Sequence, residues 1–303
     1  MSFQEALAHP GIPVTLFEVV PPAAAKPEAI ESSLHELQQL RGRVDAINIP
    51  EIHDEDRPGE RTSKFIERVE PRILGSRIKR ELGIDVVINR VTVHDAEPER
   101  WFRETLGPWD IPNWVLVGGE SKEIRYPGLN PGEAARLVKS LGLPATLGGI
   151  TIPSRVNEPD RIRKKHAQGL EFFTSQVMFD SNDLVGLIQR LNGVDARIFI
   201  SFAPVSNRRD LEFLRWLGVD IPRDLDRFLL GSEHGEAAPA ATCLDRSINM
   251  AQRILMDVFD NLPPDPPPIG LNIEHITRKN FAPALALLER LGNLYSGLVA
   301  ARA

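Results

Sequence analysis

The feature that most constrains this chain is an alternation, repeated eight times, between a short apolar run and an amphipathic stretch of helical period. The runs are VTLFEVV from Val14, AINI from Ala46, DVVINRVTV from Asp85 and NWVLVGG from Asn113, followed by ATLGGITI from Ala145, EFFTSQVMF from Glu171, RIFISFAPV from Arg197 and IGLNIEHI from Ile269. Strands that read as near-continuous apolar runs are buried on both faces, as in a parallel sheet wrapped by helices. The second helical stretch, RTSKFIERVEPRILGSRIKREL, is expected as one helix interrupted at Pro71. Between the seventh and eighth runs lie DIPRDLDRFLL and a further helix near Thr242–Asp260, while NLPPDPPPIG reads as a stiff connector into the last strand. Eight successive strand–helix units fit a closed barrel better than an open sheet. The expectation is an α/β fold, a (βα)8 TIM-type barrel with extra helices between strands seven and eight, forming one domain over residues 1–303.

Composition narrows the partners. With 36 Lys+Arg against 42 Asp+Glu the net charge is -6, so no clustered phosphate-binding face is implied and nucleic acid is not an expected partner. One cysteine, Cys243, excludes a disulfide framework and reads as a buried structural thiol. No run is long enough for a membrane span, and MSFQEALAHPGIP lacks a basic segment followed by an apolar core, so the expected location is cytoplasmic. The apolar last helix and Trp216 are available for an interface between copies of the chain.

In a barrel of this kind the chemistry sits where strands end. The polar residues there are Glu18, Glu51, Asn89, Arg90, Glu120, Arg155, Gln176, Ser201, Asn207, Glu274 and His275. Glu18 lies inside an apolar run, so it is either an ion-paired barrel residue or a carboxyl whose raised pKa suits a general acid. In VGGE, Gly118 and Gly119 give a flat ligand access to the backbone beside Glu120, or simply make a tight turn. Gln176 offers both a donor and an acceptor to a heterocycle edge or to neighbouring backbone. The acidic EIHDEDRPGE and the basic RIRKKHAQG read as a solvated loop and a solvated helix face. His94, His166 and His275 lack metal-ligand spacing, so no metal is expected, and no glycine-rich nucleotide loop is present.

Six segments then match one family in order and at compatible spacing. FEVVPP at Phe17–Pro22 resembles the Phe-Glu-Phe-x-Pro-Pro signature of the methylenetetrahydrofolate reductases. DAINIPE with RPGERTSK, RVTVHDAEPE, VLVGGE, FFTSQVMFD and APVSN are similar to that family's later segments, from Thr15 to about Arg278. The resemblance implies reduction of 5,10-methylenetetrahydrofolate to 5-methyltetrahydrofolate, with a tetrahydrofolate-type small molecule as partner. By position it makes Glu18 the general acid that opens the imidazolidine ring and Glu120 the carboxylate that stabilises the resulting cation. It gives Gln176 the pterin edge, Gly119 and Asn207 further substrate contacts, and Arg278 the glutamyl tail.

The family's flavin contacts are replaced here by Pro50, Arg90, Gly118 and Ile152, whereas Lys165 matches a lysine that meets flavin phosphates. The resemblance therefore implies weakened or absent FAD binding and likeness to the family's flavin-independent members. Hydride would pass directly from NAD(P)H, with Arg90, Gly118, Arg155 and Lys165 at the cofactor. Competing readings are a conventional FAD-dependent reductase, a reductase of another reduced pterin, and a non-catalytic folate-binding subunit. Retention of Glu18 in an apolar strand speaks against the last. An aldolase barrel is disfavoured, because no strand end carries a lysine for a Schiff base.

Overall fold

The computed structural model describes residues 1–26, 28–54, 65–119, 124–231 and 239–302, with the backbone alone at Arg223 and Arg278. Eight parallel strands close on themselves in chain order. They are β1 (Thr15–Val19), β2 (Ala46–Pro50), β3 (Asp85–Val91), β4 (Asn113–Val117), β5 (Thr146–Thr151), β6 (Phe172–Val177), β7 (Arg197–Phe202) and β8 (Ile269–His275). The closing pair sets β8 beside β1, Glu18 level with Glu274. The expected (βα)8 barrel is what forms.

A short helix α1 (Phe3–Leu7) precedes the barrel. The outer helices are α2 (Ala29–Leu37), α3 (Pro71–Leu82), α4 (Pro98–Leu106), α5 (Pro131–Ser140), α6 (Glu158–Ala167), α7 (Ser181–Arg190), α8 (Arg208–Trp216), α9 (Arg223–Leu230), α10 (Ala240–Asp260) and α11 (Phe281–Ala300). Pro71 does not interrupt α3 but starts it: a proline is tolerated at the first helical position, whose N–H has no intrahelical partner. Glu70 caps that end, and Gly83 at φ 66° stops the other in the left-handed region. Residues 65–70 run outside the helix, with a bridge between Ala23 and Arg68, and residues 61–64 lie outside the described residues.

The lower half of the barrel is packed solid. Leu16, Ala46, Val87, Val115, Phe172 and Phe199 fill it together with Phe3 and Leu7 of α1. Phe172 meets Phe3 and Phe199 edge-on, both at 5.7 Å between ring centroids. Gly148 and Gly270 make room for these rings, since a Cβ at either would stand 2.4 Å from Phe172 or Phe199. The buried Arg197 guanidinium ties the plug down by donating to the carbonyls of His9 (2.7 Å), Ile269 (2.9 Å) and Ile12 (3.1 Å).

The material between β7 and β8 builds a second apolar cluster. Leu211 and Leu214 of α8, Leu225 and Leu229 of α9 and Cys243 of α10 pack on Val177, Phe179, Val205 and Ile276 at the upper ends of β6–β8. The chain thus raises a wall on one side of the mouth. Helix α11 faces the barrel with Phe281, Ala284, Leu287, Leu288, Leu291 and Tyr295, so much of its apolar content is buried within the chain. Among the described residues no helix is long and apolar enough to cross a membrane.

Candidate functional site

Side chains alternate along a strand, so the residues two beyond the plug point into the same lumen. Those residues are Glu18 on β1, Asn48 on β2, Asn89 on β3, Ser201 on β7 and Asn272 on β8, with Glu274 a further step up. The barrel therefore turns from aromatic to polar within one layer. Register puts Asn48, Glu18 and Glu274 in one row across β2, β1 and β8, on strands about 4.8 Å apart. Asn48 Nδ2 donates to Glu18 Oε2 at 2.8 Å. Asn272 Nδ2 donates to Ser201 Oγ at 2.9 Å, and the Ser201 hydroxyl bonds Glu274. The asparagines are buried, whereas both carboxyls are partly exposed and are the groups a ligand meets.

Electrostatics follow from this placement. Burial pushes the Glu18 carboxyl up to about 7, against the lowering effect of the Asn48 hydrogen bond. Burial and then the neighbouring Glu18 raise Glu274 well above the ordinary carboxylate range. Of the two alternatives for Glu18, a raised pKa is therefore the outcome: among the described residues no ion pair engages it or Glu274. Buried acceptors without a donor, Asn48 Oδ1, Asn89 Oδ1, Thr174 Oγ1 and Asn272 Oδ1, belong to the same layer. Glu274 stood among the strand-end residues in the sequence, but only closure of β8 on β1 makes it the neighbour of Glu18.

The rim over β2 and β3 is organised differently. Arg90 alternates outward, away from the lumen, and its guanidinium is held by Glu51 and Asp95 over the Trp101 ring at 5.1 Å. Glu51 also accepts from the Val91 N–H at 2.7 Å. Burial works to raise Glu51, and the His53 hydrogen bond, Arg90 and Val91 N–H outweigh it, holding the carboxyl below its usual value. Glu51 is thus a structural anion, not part of a solvated loop; Glu55 and Asp56 lie outside the described residues. His53 and His94 stand ring to ring at 4.9 Å, with Tyr126 edge-on to His94 at 5.4 Å. The space over Gly119 is filled by this same Tyr126, whose ring would lie 2.2 Å from an added Cβ, so the glycine serves internal packing. Gly118 is less crowded, with Pro131 at 3.5 Å. Glu120 lies outside the described residues.

At the β5–α6 turn, the fully buried Glu158 is met by Arg161 at 3.2 Å and Arg155 at 4.0 Å. Lys165 is not on a solvated face. It donates to the Ile150 carbonyl at 3.0 Å, sits 5.8 Å from the Phe173 ring, and is lowered to about 8 by burial. Gln176 follows an irregularity in the β6 register and donates to the Leu217 carbonyl at 3.3 Å, reaching the wall of the mouth. Asn207 caps α8, accepting from the Arg209 and Asp210 N–H groups at 2.9 and 3.3 Å. The Arg278 side chain is not described; its backbone opens a short turn after β8. Among the described residues no group of three His, Cys, Asp or Glu side chains could hold a metal. The structure thus brings Glu18, Glu274 and their amide supports together, and sets Arg90, Arg155, Lys165 and Asn207 outside the lumen.

No family model and no curated protein matches the chain. Among solved structures, the barrel is similar to an uncharacterized protein from Clostridium thermocellum described as binding two copies of 5-methyl-5,6,7,8-tetrahydrofolic acid. The TM-score is 0.74 over 96% of this chain and 99% of that one, at 20% sequence identity, and at that identity the likeness speaks for the fold.

Proposed function

We propose that this barrel binds a reduced folate at its C-terminal mouth and reduces 5,10-methylenetetrahydrofolate to 5-methyltetrahydrofolate by direct hydride transfer from NAD(P)H. The observation that carries the reading is Glu18: a partly exposed carboxyl in a polar lumen, held protonated near neutrality, with no basic partner among the described residues. The similar fold described as binding 5-methyltetrahydrofolate supports the ligand class. A lumen rich in acceptors suits a flat heterocycle rich in N–H donors.

In this reading Glu18 gives its proton to N10 as the bond from N10 to the methylene carbon breaks. The N5 lone pair forms an iminium with that carbon, and NAD(P)H supplies the hydride that completes the methyl group. One proton and one hydride are consumed per turnover. The family resemblance assigns Glu120 to the cation, Gln176 to the pterin edge and Asn207 and Arg278 to the remainder of the folate. Glu120 and the Arg278 side chain lie outside the described residues, and the packing of Tyr126 over Gly119 does not favour a ligand contact there.

The engagement of the two cations at the expected flavin positions within the protein supports a reading without FAD. Arg90 is neutralised by Glu51 and Asp95, and Lys165 donates to a backbone carbonyl. The test is anaerobic NADH oxidation by flavin-stripped protein with and without methylenetetrahydrofolate. Folate-dependent oxidation without flavin is expected, and Glu18→Gln is expected to lower it by about 10²–10⁴-fold with folate binding nearly intact. Oxidation that appears only on adding FAD would overturn direct transfer. Folate binding without any oxidation would leave a binding protein.

A further inference from the structure

We propose that Glu274 is a positioning residue that shares one proton with Glu18, so that the pair, level on adjoining strands of one barrel face, stays singly protonated through the neutral range. The role in turnover rests on the folate reading; the shared proton does not.

The placement comes from barrel closure. Glu18 and Glu274 are register partners in the β1–β8 pair, and partners in neighbouring parallel strands project to the same side. Among the described residues, the groups that the other strands turn towards this row are neutral. β2 presents Asn48, β3 Asn89, β4 Val117, β5 Ile150, β6 Thr174 and β7 Ser201. His275 alternates outward against Phe17 and Phe281, with ring centroids 6.3 and 5.3 Å away. Arg90 also points outward and is held by Glu51 and Asp95. Among the described residues, then, the two glutamates are the charged groups of this layer; Glu120 and the Arg278 side chain lie outside that set.

Two carboxyls on register partners of adjoining strands, partly desolvated and with no cation between them among the described residues, do not both ionise near neutrality. A second feature points the same way. The layer has buried amide oxygens, on Asn48 and Asn272, that lack a donor, and a protonated carboxyl adds an O–H donor where acceptors are in excess. Both carboxyls are raised, consistent with this. The first and second ionisations belong to the pair and not to either residue.

The consequence is functional. Once the pair carries one negative charge, its second ionisation is pushed to higher pH, so the pair keeps an acid proton at pH values where an isolated glutamic acid has lost it. When Glu18 releases that proton to N10, the charge left on the pair faces the iminium cation formed in the same step. Glu274 thus sets the pH range of the acid without itself transferring the proton.

The test is an infrared pH titration of the free protein, following the carbonyl band of protonated carboxylic acid, alongside the pH profile of kcat/KM. In the wild type the pair's band is expected to persist above neutrality. Glu274→Gln is expected to remove it there and to move the alkaline limb of kcat/KM down by about one pH unit, a tenfold loss on that limb. Glu18→Gln provides an independent check, because the proton belongs to the pair and the band should fall in the same range. A band and limb unchanged in Glu274→Gln would overturn the proposal. If the infrared behaviour appears as expected but the wild type never reduces the folate, the shared proton stands and the reductase reading fails.

Discussion

A carboxyl that burial holds protonated up to about 7 makes the folded chain bind more protons than the unfolded one, whose glutamates ionise near 4.5. The sign of the linkage follows: the stability tied to Glu18 is complete below that unfolded value and is lost as pH rises through about 7. Glu274 acts in the same direction. Replacing Glu18 by glutamine keeps the shape and the contact with Asn48 but removes the ionisation. Glu18→Gln is therefore expected to melt a few degrees higher than the wild type above neutrality and to converge with it at acid pH. Parallel melting curves at every pH would mean that the carboxyl is not desolvated in the folded chain. A residue that lowers stability in the range where it is useful is a common mark of a working site. The sequence shows Glu18 as anomalous because a charge interrupts an apolar run. It does not show Glu274 as its neighbour, because nothing local in IGLNIEHI says which strand will lie beside it. Likewise Glu51, Arg90 and Asp95 look like separate surface charges in the sequence, and only the fold brings them together.

At the scale of elements, the strands are legible because each is buried on both faces and so reads as an apolar run. The register between them is not written in those runs. Pro71 marks a helix boundary in the sequence, but the apolar residues before it suggest continuation, and the bridge between Ala23 and Arg68 that holds them extended is non-local. Helix α1 is the least legible element. Five residues are too few to form a stable helix alone, and its anchors are remote. The Phe3 N–H donates to Asp85 at 2.7 Å, and Gln4 Nε2 donates to Thr146 at 2.7 Å. Its capping box between Ser2 and Glu5 orders the turn once it is docked. Phe3 is almost fully buried against Phe172 and Phe199. Phe3→Ala is expected to cost about 3–5 kcal/mol, measured by denaturant unfolding. A loss below about 1 kcal/mol would show that the other plug residues close over the gap, as in sites that relax after truncation.

The whole molecule is polarised along the barrel axis. One end is sealed by aromatic rings, the α1 helix and the Arg197 guanidinium, and carries no lumen for a ligand. The other end opens on Glu18 and Glu274, flanked on one side by the wall that α8 and α9 build over β6–β8. Division of labour between a stabilising end and a reactive end is the general behaviour of such barrels, and here the packing gives it a specific form. A ligand seated on the Glu18–Glu274 row should slow hydrogen exchange in the upper ends of β1, β2 and β8. Protection should extend to α8 and α9, because Gln176 links the β6 end to the Leu217 carbonyl between those helices. The α1 end should be unaffected, since the packed aromatic plug separates it from the mouth. Exchange measured with and without 5-methyltetrahydrofolate reads all three regions in one experiment. Protection concentrated at α1 and the lower strand ends would place the ligand at the sealed face and remove Glu18 from its chemistry. Protection confined to the mouth ties ligand binding to the one layer of the barrel where two carboxyls stand without a cation among the described residues.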